Sequence, residues 1–371
     1  MKKHIIIIGG GLAGWSMAAA FTDNNFSVDI FEGKDDNFGS QQISPNGWNA
    51  LSKLIDIKKA YSLFEQFNIL KIKSMSIDQK IMPLSSYNIE NKNKNYGSIE
   101  RSSIVKLLRE KTQSTSLVKV HKSNVKFIIQ KNNLKELIDD NDNYFSSEVI
   151  IGADGIKGVT KQFVNGFSNN IKMKKVFRSV SFDKEPYNLT KGQIQLILSS
   201  NGHFVIYPTI IKTKKATNYV FVPSSSEYSP PKVTSSSFNL LVPKNIRWLE
   251  TLAINEKLDN SIIYKEGVLL VGEASISMPP HIAQAGNQIL EDAAFIKKVL
   301  KEKNSIDQIA DLFINKRYEE KKIIAEKSFL IGNILNSKNT IGFLRDIALK
   351  SIGTQILEDI LNPIWETRNY E

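Results

Sequence analysis

The chain has 371 residues, 41% of them hydrophobic, and a formal net charge of +11 at pH 7. This length suits one large or two modest globular domains. No run of Lys or Arg exceeds two residues and no nucleic-acid motif is present, so we expect no nucleic-acid partner. The absence of cysteine excludes disulfides, thiolate nucleophiles and Cys-ligated metal sites.

Four isoleucines at residues 5–8 predict a parallel strand that is covered on both faces. This apolar stretch is too short for the core of a signal peptide, and no other segment approaches the length that spans a bilayer. We therefore expect a cytoplasmic protein.

A glycine-rich turn follows this strand directly and matches the pattern G-x-G-x-x-G, with Leu12 and Ala13 between its second and third glycines. Gly9 permits the tight turn, Gly11 lets backbone amides approach a pyrophosphate, and Gly14 lets the next helix pack on the strand. That helix, predicted over residues 15–22, directs its positive end at the phosphates.

A second strand, predicted over residues 27–31, ends at Glu32, whose carboxylate would accept hydrogen bonds from the hydroxyls of an adenosine ribose. Strand, glycines, helix, strand and acid together predict dinucleotide binding. The same unit serves both NAD and FAD, so it leaves that choice open.

Two further apolar strands, at residues 148–151 and 267–271, each lead into a turn of small residues with a carboxylate. The first turn carries Asp154 and Gly155, and the second carries Gly272 and Glu273. By itself, Asp-Gly is a common turn dipeptide.

Taken in order, these blocks resemble the flavin-dependent aromatic hydroxylases of the para-hydroxybenzoate and salicylate hydroxylase type. The resemblance covers most of the chain. The segments that carry it are ISPNG at 43–47, Glu100-Arg101, GADGIKGVTKQ at 152–162, GHFVIYP at 202–208 and VLLVGEASISMPPHIAQAGNQILEDA at 268–293.

The resemblance implies FAD as the cofactor. It places Arg101 near the ribityl and phosphate region, Asp154 beside the pyrophosphate and any incoming nicotinamide, and Glu273 against the ribityl hydroxyls. Backbone amides of Gly286 and Asn287 would face the isoalloxazine. The other FAD-binding residues that it implies are Val125, Gly155, Gly272 and Ala285.

The implied reaction uses NAD(P)H to reduce FAD and O₂ to form a flavin hydroperoxide, which hydroxylates a small aromatic or quinone-precursor-like substrate. The candidate residues of the substrate pocket are Tyr207 and His281, and either could instead be structural. No metal site is expected, because the four histidines form no ligand pattern.

Several residues depart from the family pattern. Residues 272–277 read GEASIS where the family has Gly-Asp-Ala-Ala-His-Pro, Gly158 and Lys161 replace a usual serine and arginine, and Ser40 and Gln41 stand where glycine and an aliphatic residue are common. These changes leave open an FAD-binding protein with lost or altered catalysis. A flavin-dependent halogenase is disfavoured because no Trp-x-Trp-x-Ile-Pro segment exists, and the later blocks argue against a plain NAD dehydrogenase.

The predicted fold class is α/β. A discontinuous Rossmann-type FAD domain (1–70, 97–172 and 262–330) would hold an inserted, mainly antiparallel substrate domain (71–96 and 173–261), followed by C-terminal helices (331–371). Predicted substrate-domain strands lie at 193–198, 204–207 and 219–222, loops at 212–216 and 223–237, a hairpin tip at 139–143, and a polar connection at 88–95.

An apolar stripe of period four runs along the last helical segment, from Leu344 to Ile364. We expect it to pack onto the chain's own body. The alternatives are a homodimer contact, in place of a monomer, or peripheral attachment to a membrane surface.

Overall fold

The structure is a computed structural model. It describes residues 3–33, 38–74, 80–83 (backbone only), 95–166, 172–182, 189, 191–230, 246–254, 262–303 and 305–370. The predicted connection at 88–95 lies outside these residues except for Asn95, as does the predicted loop at 223–237 beyond residue 230.

The strands, in chain order, are β1 His4–Ile8, β2 Ser27–Phe31, β3 Ser40–Ile43, β4 Phe64–Gln66, β5 Ile69–Lys73, β6 Lys80–Pro83, β7 Gly97–Glu100, β8 Val118–His121, β9 Val125–Lys131, β10 Leu134–Asp139, β11 Tyr144–Ser147, β12 Ile150–Gly152, β13 Met173–Ser181, β14 Gln193–Ser199, β15 Gly202–Ile211, β16 Lys214–Pro223, β17 Leu249–Ile254, β18 Tyr264–Lys265 and β19 Val268–Leu270.

The helices are α1 Leu12–Thr22, α2 Pro45–Leu54, α3 Ile57–Tyr61, α4 Arg101–Gln113, α5 Val159–Asn165, α6 Gly272–Ser275, α7 Ala285–Val299, α8 Ile306–Leu312, α9 Glu319–Leu335 and α10 Asn339–Trp365. A π-helical segment, Phe313–Tyr318, joins α8 to α9.

The first sheet has the strand order β18-β19-β12-β1-β2-β8 among the described residues, and all pairs are parallel except β18 with β19. The isoleucines of β1 are buried on both faces, as predicted, because helices cover the sheet. Helix α1 begins at Leu12, three positions before the predicted start, and every residue in it is buried. The carboxyl ends of β1, β2, β12 and β19 therefore lie at one edge, where ligands bind in such folds.

The second sheet has the order β17-β13-β16-β15-β14-β5-β6 among the described residues and is antiparallel except where β14 pairs with β5. One row of large side chains crosses it from Phe177 through Phe221 and Phe204 to Ile197 and packs on one face. The row beside it, from Arg178 through Val220 to Val205, faces the other way.

The loop predicted at 212–216 is much shorter in the structure. Only Lys212 and Thr213 form the turn, both with positive φ, and β16 begins at Lys214. The prediction was wrong for residues 214–216. Their polar sequence is typical of a loop, but they continue the antiparallel pairing of β16 with β15, in which Lys215 is opposite Ile210. The hairpin tip at 139–143 is confirmed between β10 and β11.

The fold class is confirmed as a Rossmann-type α/β unit with a mainly antiparallel second sheet. The domain boundaries remain a prediction, and the one proposed after residue 70 falls inside β5.

The apolar stripe of the last helix behaves differently in its two halves. Ile364 and Trp365 are buried in the main core, and Leu357 and Leu361 pack against it. Ile352 has non-helical backbone angles, and before this kink Leu344 is 58% exposed. The first half still contacts the body on another face, because Leu349 packs against Ile72, Leu198 and Leu335 and the buried Asp346 accepts a hydrogen bond from Ser74. The stripe itself is thus packed onto the chain's own body mainly in the second half. No helix in the described ranges is long and apolar enough to cross a membrane.

Candidate active site

A groove of about 470 Å³ lies at the carboxyl ends of β1 and β2. Most of the residues predicted to bind the cofactor line it: Gly9, Gly11, Leu12, Ala13, Glu32, Arg101, Asp154, Gly155, Glu273, Ala285 and Gly286. Residues that the sequence did not indicate also line it: Gly10, Gly33, Gln41, Arg109, Lys122, Asn124, Ala153 and Ile289. Gly14, Gly272 and Asn287 were also predicted to bind the cofactor but do not line the groove; Gly14 and Gly272 instead lie against Gly9 and Ala13, which do. Val125 lines an adjoining cavity of about 210 Å³.

The three fingerprint glycines have different steric surroundings. A Cβ at Gly9, whose φ is +111°, would overlap the carbonyl of Ala153, and one at Gly14 would overlap the carbonyl of Gly9. A Cβ at Gly11 would meet no protein atom within 4 Å. Gly9 and Gly14 are therefore required by packing, whereas Gly11 borders open space where a ligand's phosphates would approach.

Glu32 ends β2 as predicted, and its carboxylate is already held by basic and indole groups. It accepts hydrogen bonds from Trp15 Nε1 (3.1 Å) and Arg109 (2.6 Å), and also pairs with Lys122. The Arg109 guanidinium lies 4.8 Å from the Trp15 ring centroid. These partners fix the orientation of the carboxylate and bring positive charge to the groove.

Asp154 lines the groove, but its carboxylate also caps α5. It accepts hydrogen bonds from the backbone N–H of Thr160 (3.0 Å) and from the Thr160 hydroxyl. Burial raises the pKa of Asp154, and the hydrogen bonds from Thr160 oppose that shift. A Cβ at Gly158 would overlap this carboxylate, so the departure from serine at Gly158 has a steric reason.

Helix α7 presents its N-terminus to the groove through Ala285 and Gly286. The first N–H groups of a helix have no intrahelical acceptor, so they are available to a ligand. The Asn287 side chain points away from the groove: its Oδ1 accepts from Ser44 N (3.1 Å) and its Nδ2 donates to Ala283 O (2.8 Å). Only the backbone of Asn287 can play the predicted role.

A buried polar network holds α7 from behind. Asn46 Nδ2 donates to Gln284 Oε1 (3.1 Å) and Glu291 Oε2 (2.9 Å), and Glu291 also pairs with Arg368 (2.6 Å). Lys321 Nζ lies 2.6 Å from Asp292 Oδ2 with both side chains buried. Glu291 and Asp292 belong to the segment 268–293 that resembles the family, but their partners come from distant segments of the chain.

A second cavity of about 140 Å³ lies between α7 and the second sheet. The predicted pocket residue Tyr207 lines it and donates its hydroxyl to Ser40 O (3.2 Å). Burial raises the pKa of Tyr207, so this side chain is a neutral hydrogen-bonding phenol at neutral pH. Arg178, which the sequence reasoning missed, also lines the cavity.

The groove and the second cavity meet along a shared wall formed by Gln41, Arg101, Glu273, Ala285 and Gly286. Among the residues that the structure describes, the buried side-chain amide of Gln41 finds no hydrogen-bond partner for either its nitrogen or its oxygen. Buried amides are normally satisfied, so this one is placed to bind a ligand at the junction.

His281, the other predicted pocket residue, lies outside both the groove and the second cavity. It borders a separate space of about 30 Å³ next to α9, and its ring centroid is 5.3 Å from that of His203. Burial lowers the pKa of His203 to about 4 and that of His281 to about 3. The structure therefore gives His281 a packing environment, because the loop after Pro280 turns toward α9.

Comparison with known proteins supports the same architecture. Residues 7–48 match the NAD(P)-binding Rossmann-like domain family. A relative, the FAD-dependent monooxygenase prhF of Penicillium brasilianum, is 20% identical over 88% of this chain and 78% of its own.

Two solved structures have the same fold over nearly the whole chain. Klebsiella pneumoniae HpxO complexed with FAD and uric acid has a TM-score of 0.81 and 16% identity, covering 97% of this chain and 96% of its own. A salicylate hydroxylase substrate complex has a TM-score of 0.73 and 17% identity, covering 98% and 95%. The fold is that of the FAD-dependent aromatic hydroxylases, which confirms the resemblance at the level of the fold.

Proposed function

We propose that this chain is an FAD-dependent monooxygenase that uses NAD(P)H and O₂ to hydroxylate a small aromatic substrate. The observation that carries this proposal is the shared wall between the groove and the second cavity. A dinucleotide lying in the groove would bring its reactive ring to that wall, directly beside a space for a small molecule.

The residues present fit FAD. Gly11 leaves room for the pyrophosphate, Glu32 lies where the adenosine ribose would end, and Arg101 supplies a guanidinium suited to phosphate. Glu273 is exposed toward both spaces and would accept hydrogen bonds from ribityl hydroxyls. The unpartnered Gln41 amide and the first N–H groups of α7 would hold the polar edge of the flavin ring.

When bound, FAD supplies the redox chemistry that links NAD(P)H oxidation to O₂ activation. The chain binds and orients the reactants and excludes water. Apolar side chains such as Met173, Val205 and Val220 would surround the substrate, and the Tyr207 hydroxyl would donate to it or to Ser40 O.

The test begins with the purified protein. We expect it to carry FAD and to oxidise NADH or NADPH faster when an accepted phenol, aryl acid or quinone precursor is added. Mass spectrometry after reaction under ¹⁸O₂ should show one labelled oxygen in the product. Gly11→Ala, which we expect to lose FAD, provides the matched control for background oxidation.

Two outcomes would contradict the proposal in different ways. Protein that contains no flavin and cannot be reconstituted with FAD would favour a plain nicotinamide dehydrogenase. Protein that holds FAD but forms no oxygenated product would favour an FAD-binding protein with lost or altered catalysis. This is the alternative that the departures from the family pattern at Glu273, Ile276 and Gly158 leave open.

A further inference from the structure

Large apolar side chains are exposed where α9 ends and α10 begins. Eighteen large apolar side chains are exposed among the described residues, and six of them fall within residues 330–347. Exposed apolar side chains that are concentrated in this way mark a contact with a protein or with a membrane. These six residues, which we call the apolar face, are Leu330, Ile334, Ile341, Phe343, Leu344 and Ile347.

The first half of α10 is amphipathic in the reverse of the usual sense. Ile341, Leu344 and Ile347 are spaced three residues apart, so they share one side of the helix, and that side is exposed to solvent. The opposite side meets the body of the protein with Asp346, which is 3% exposed and accepts a hydrogen bond from Ser74 (2.6 Å). A helix that packs only on its own chain normally turns its apolar stripe inward. The outward side of this helix is therefore suited to a nonpolar environment.

The exposed charges beside the apolar face have one sign. Within residues 330–352, Arg345 and Asp346 pair with each other at 2.7 Å, and both side chains are buried. The other charged side chains of this segment, Lys338 and Lys350, are exposed cations. In a dimer formed through this face, the cations of both copies would lie in one interface, whereas an anionic lipid surface would attract them. Charge complementarity thus favours a membrane over a second copy of the chain.

We propose that the apolar face binds the surface of an anionic membrane. Its side chains would enter the boundary between the headgroups and the acyl chains, and Lys338 and Lys350 would contact lipid phosphates. The net charge of +11 attracts the whole chain to such a surface. This peripheral binding is independent of whether the protein hydroxylates a substrate.

The test mixes the full chain with lipid vesicles and separates the bound protein by flotation. We expect binding to vesicles of equal parts phosphatidylcholine and phosphatidylglycerol, and at least about tenfold weaker binding to phosphatidylcholine alone. Lys338→Gln combined with Lys350→Gln should reduce this preference. Added salt should weaken binding to the anionic vesicles, because it screens the attraction between the lysines and the lipid phosphates.

A second pair of variants tests the apolar contact. Leu344→Ala combined with Ile347→Ala should weaken binding to the anionic vesicles at least about tenfold, because two large side chains no longer enter the membrane. Phe127→Ala combined with Ile129→Ala is the matched control. These two side chains are 59% and 46% exposed on β9, outside the apolar face, so the control should bind like wild type.

Phe343→Trp gives a readout that requires no loss of binding. It places a fluorophore within the apolar face, and its emission should move to shorter wavelength when anionic vesicles are added. The wild-type protein, whose four tryptophans lie outside this face, supplies the reference spectrum. If the variant with alanine at positions 344 and 347 fails to fold, this emission shift decides the question.

Three results with vesicles would overturn the proposal: no binding to anionic vesicles, equal weakening by the two alanine pairs, or vesicle-bound Phe343→Trp without the emission shift. A dimer in sedimentation equilibrium that Leu344→Ala combined with Ile347→Ala dissociates would also overturn it, because the apolar face would then join two copies of the chain.

Discussion

The side-chain amide of Asn287 occupies the space that a side chain at Gly47 would need. A Cβ at Gly47 would overlap Asn287 Oδ1, which accepts the backbone N–H of Ser44. The ISPNG segment and the N-terminus of α7 are therefore fitted to each other, although they are far apart in the chain.

Gly47→Ala should displace Asn287 and disturb the start of α7. We expect a loss of stability of about 1–3 kcal/mol and weaker FAD binding, measured by thermal unfolding and by flavin fluorescence titration. Asn287→Ala removes the overlapping amide atoms. Gly47→Ala should therefore lower the free energy of unfolding less in the Asn287→Ala background than in wild type. Strict additivity of the two substitutions would show that this contact is not the cause.

Gly11→Ala and Gly14→Ala should fail in different ways. Gly11 has extended backbone angles (φ −79°, ψ −167°) and open space for a methyl group, so the variant should fold normally but bind FAD at least about tenfold more weakly. Gly14→Ala should lower the unfolding temperature itself, because its methyl group meets the Gly9 carbonyl. If Gly11→Ala retained the wild-type flavin occupancy, the pyrophosphate could not lie against Gly11.

Glu273→Ala should lower FAD affinity, because the exposed carboxylate would no longer accept hydrogen bonds from the ribityl hydroxyls. Glu273→Gln keeps an acceptor oxygen, so its FAD affinity should fall less than that of Glu273→Ala. Glu110→Ala, which removes an exposed carboxylate that pairs with Lys106 on α4, serves as the control. If the affinity of Glu273→Ala equals that of this control, Glu273 is not a ribityl ligand.

The pair His203 and His281 should make stability depend on pH. Their pKa values of about 4 and about 3 lie below the ordinary 6.5, so the unfolded chain takes up protons in this range that the folded chain does not. The free energy of unfolding should therefore be fully retained above pH 6.5 and fall as the pH decreases toward 4.

The measurement is the unfolding temperature from pH 4.5 to 7.5 in wild type, His281→Phe and His281→Gln. Both variants should show a shallower slope than wild type, whatever their stability at pH 7.5. An unchanged slope in both would mean that folding does not lower the pKa of His281.

The parts of the site that the sequence predicted are those whose chemistry is local. Gly9, Gly11 and Gly14 stand at the turn between β1 and α1 and at the start of α1, and Glu32 directly follows β2, so contiguous residues were sufficient to predict their positions, while their roles toward a ligand stay a prediction. The fold class followed from the same pattern of strands and turns.

What the sequence could not predict depends on the direction of single side chains and on distant partners. His281 follows Pro280 in the loop, yet only Pro280 lines the second cavity. Arg178 carries a weak signal, a lone charge within the apolar segment VFRSV of β13, but its place in the wall of the second cavity depends on how the second sheet folds. Glu291 is bound by Asn46 of α2 and by Arg368, which follows α10, and Asp292 pairs with Lys321 of α9, so their partners also come from distant segments.

The network behind α7 also bears on how the protein folds. Asn46 and Gln284 are separated by 238 positions, and Asn49 donates to the carbonyl of Arg368 across 319 positions. Contacts of such high sequence separation carry a large loop-closure entropy and form slowly. After dilution from denaturant, the first sheet should regain its structure before the N-terminus of α7 is fixed, so competence to bind flavin should be among the last properties to return.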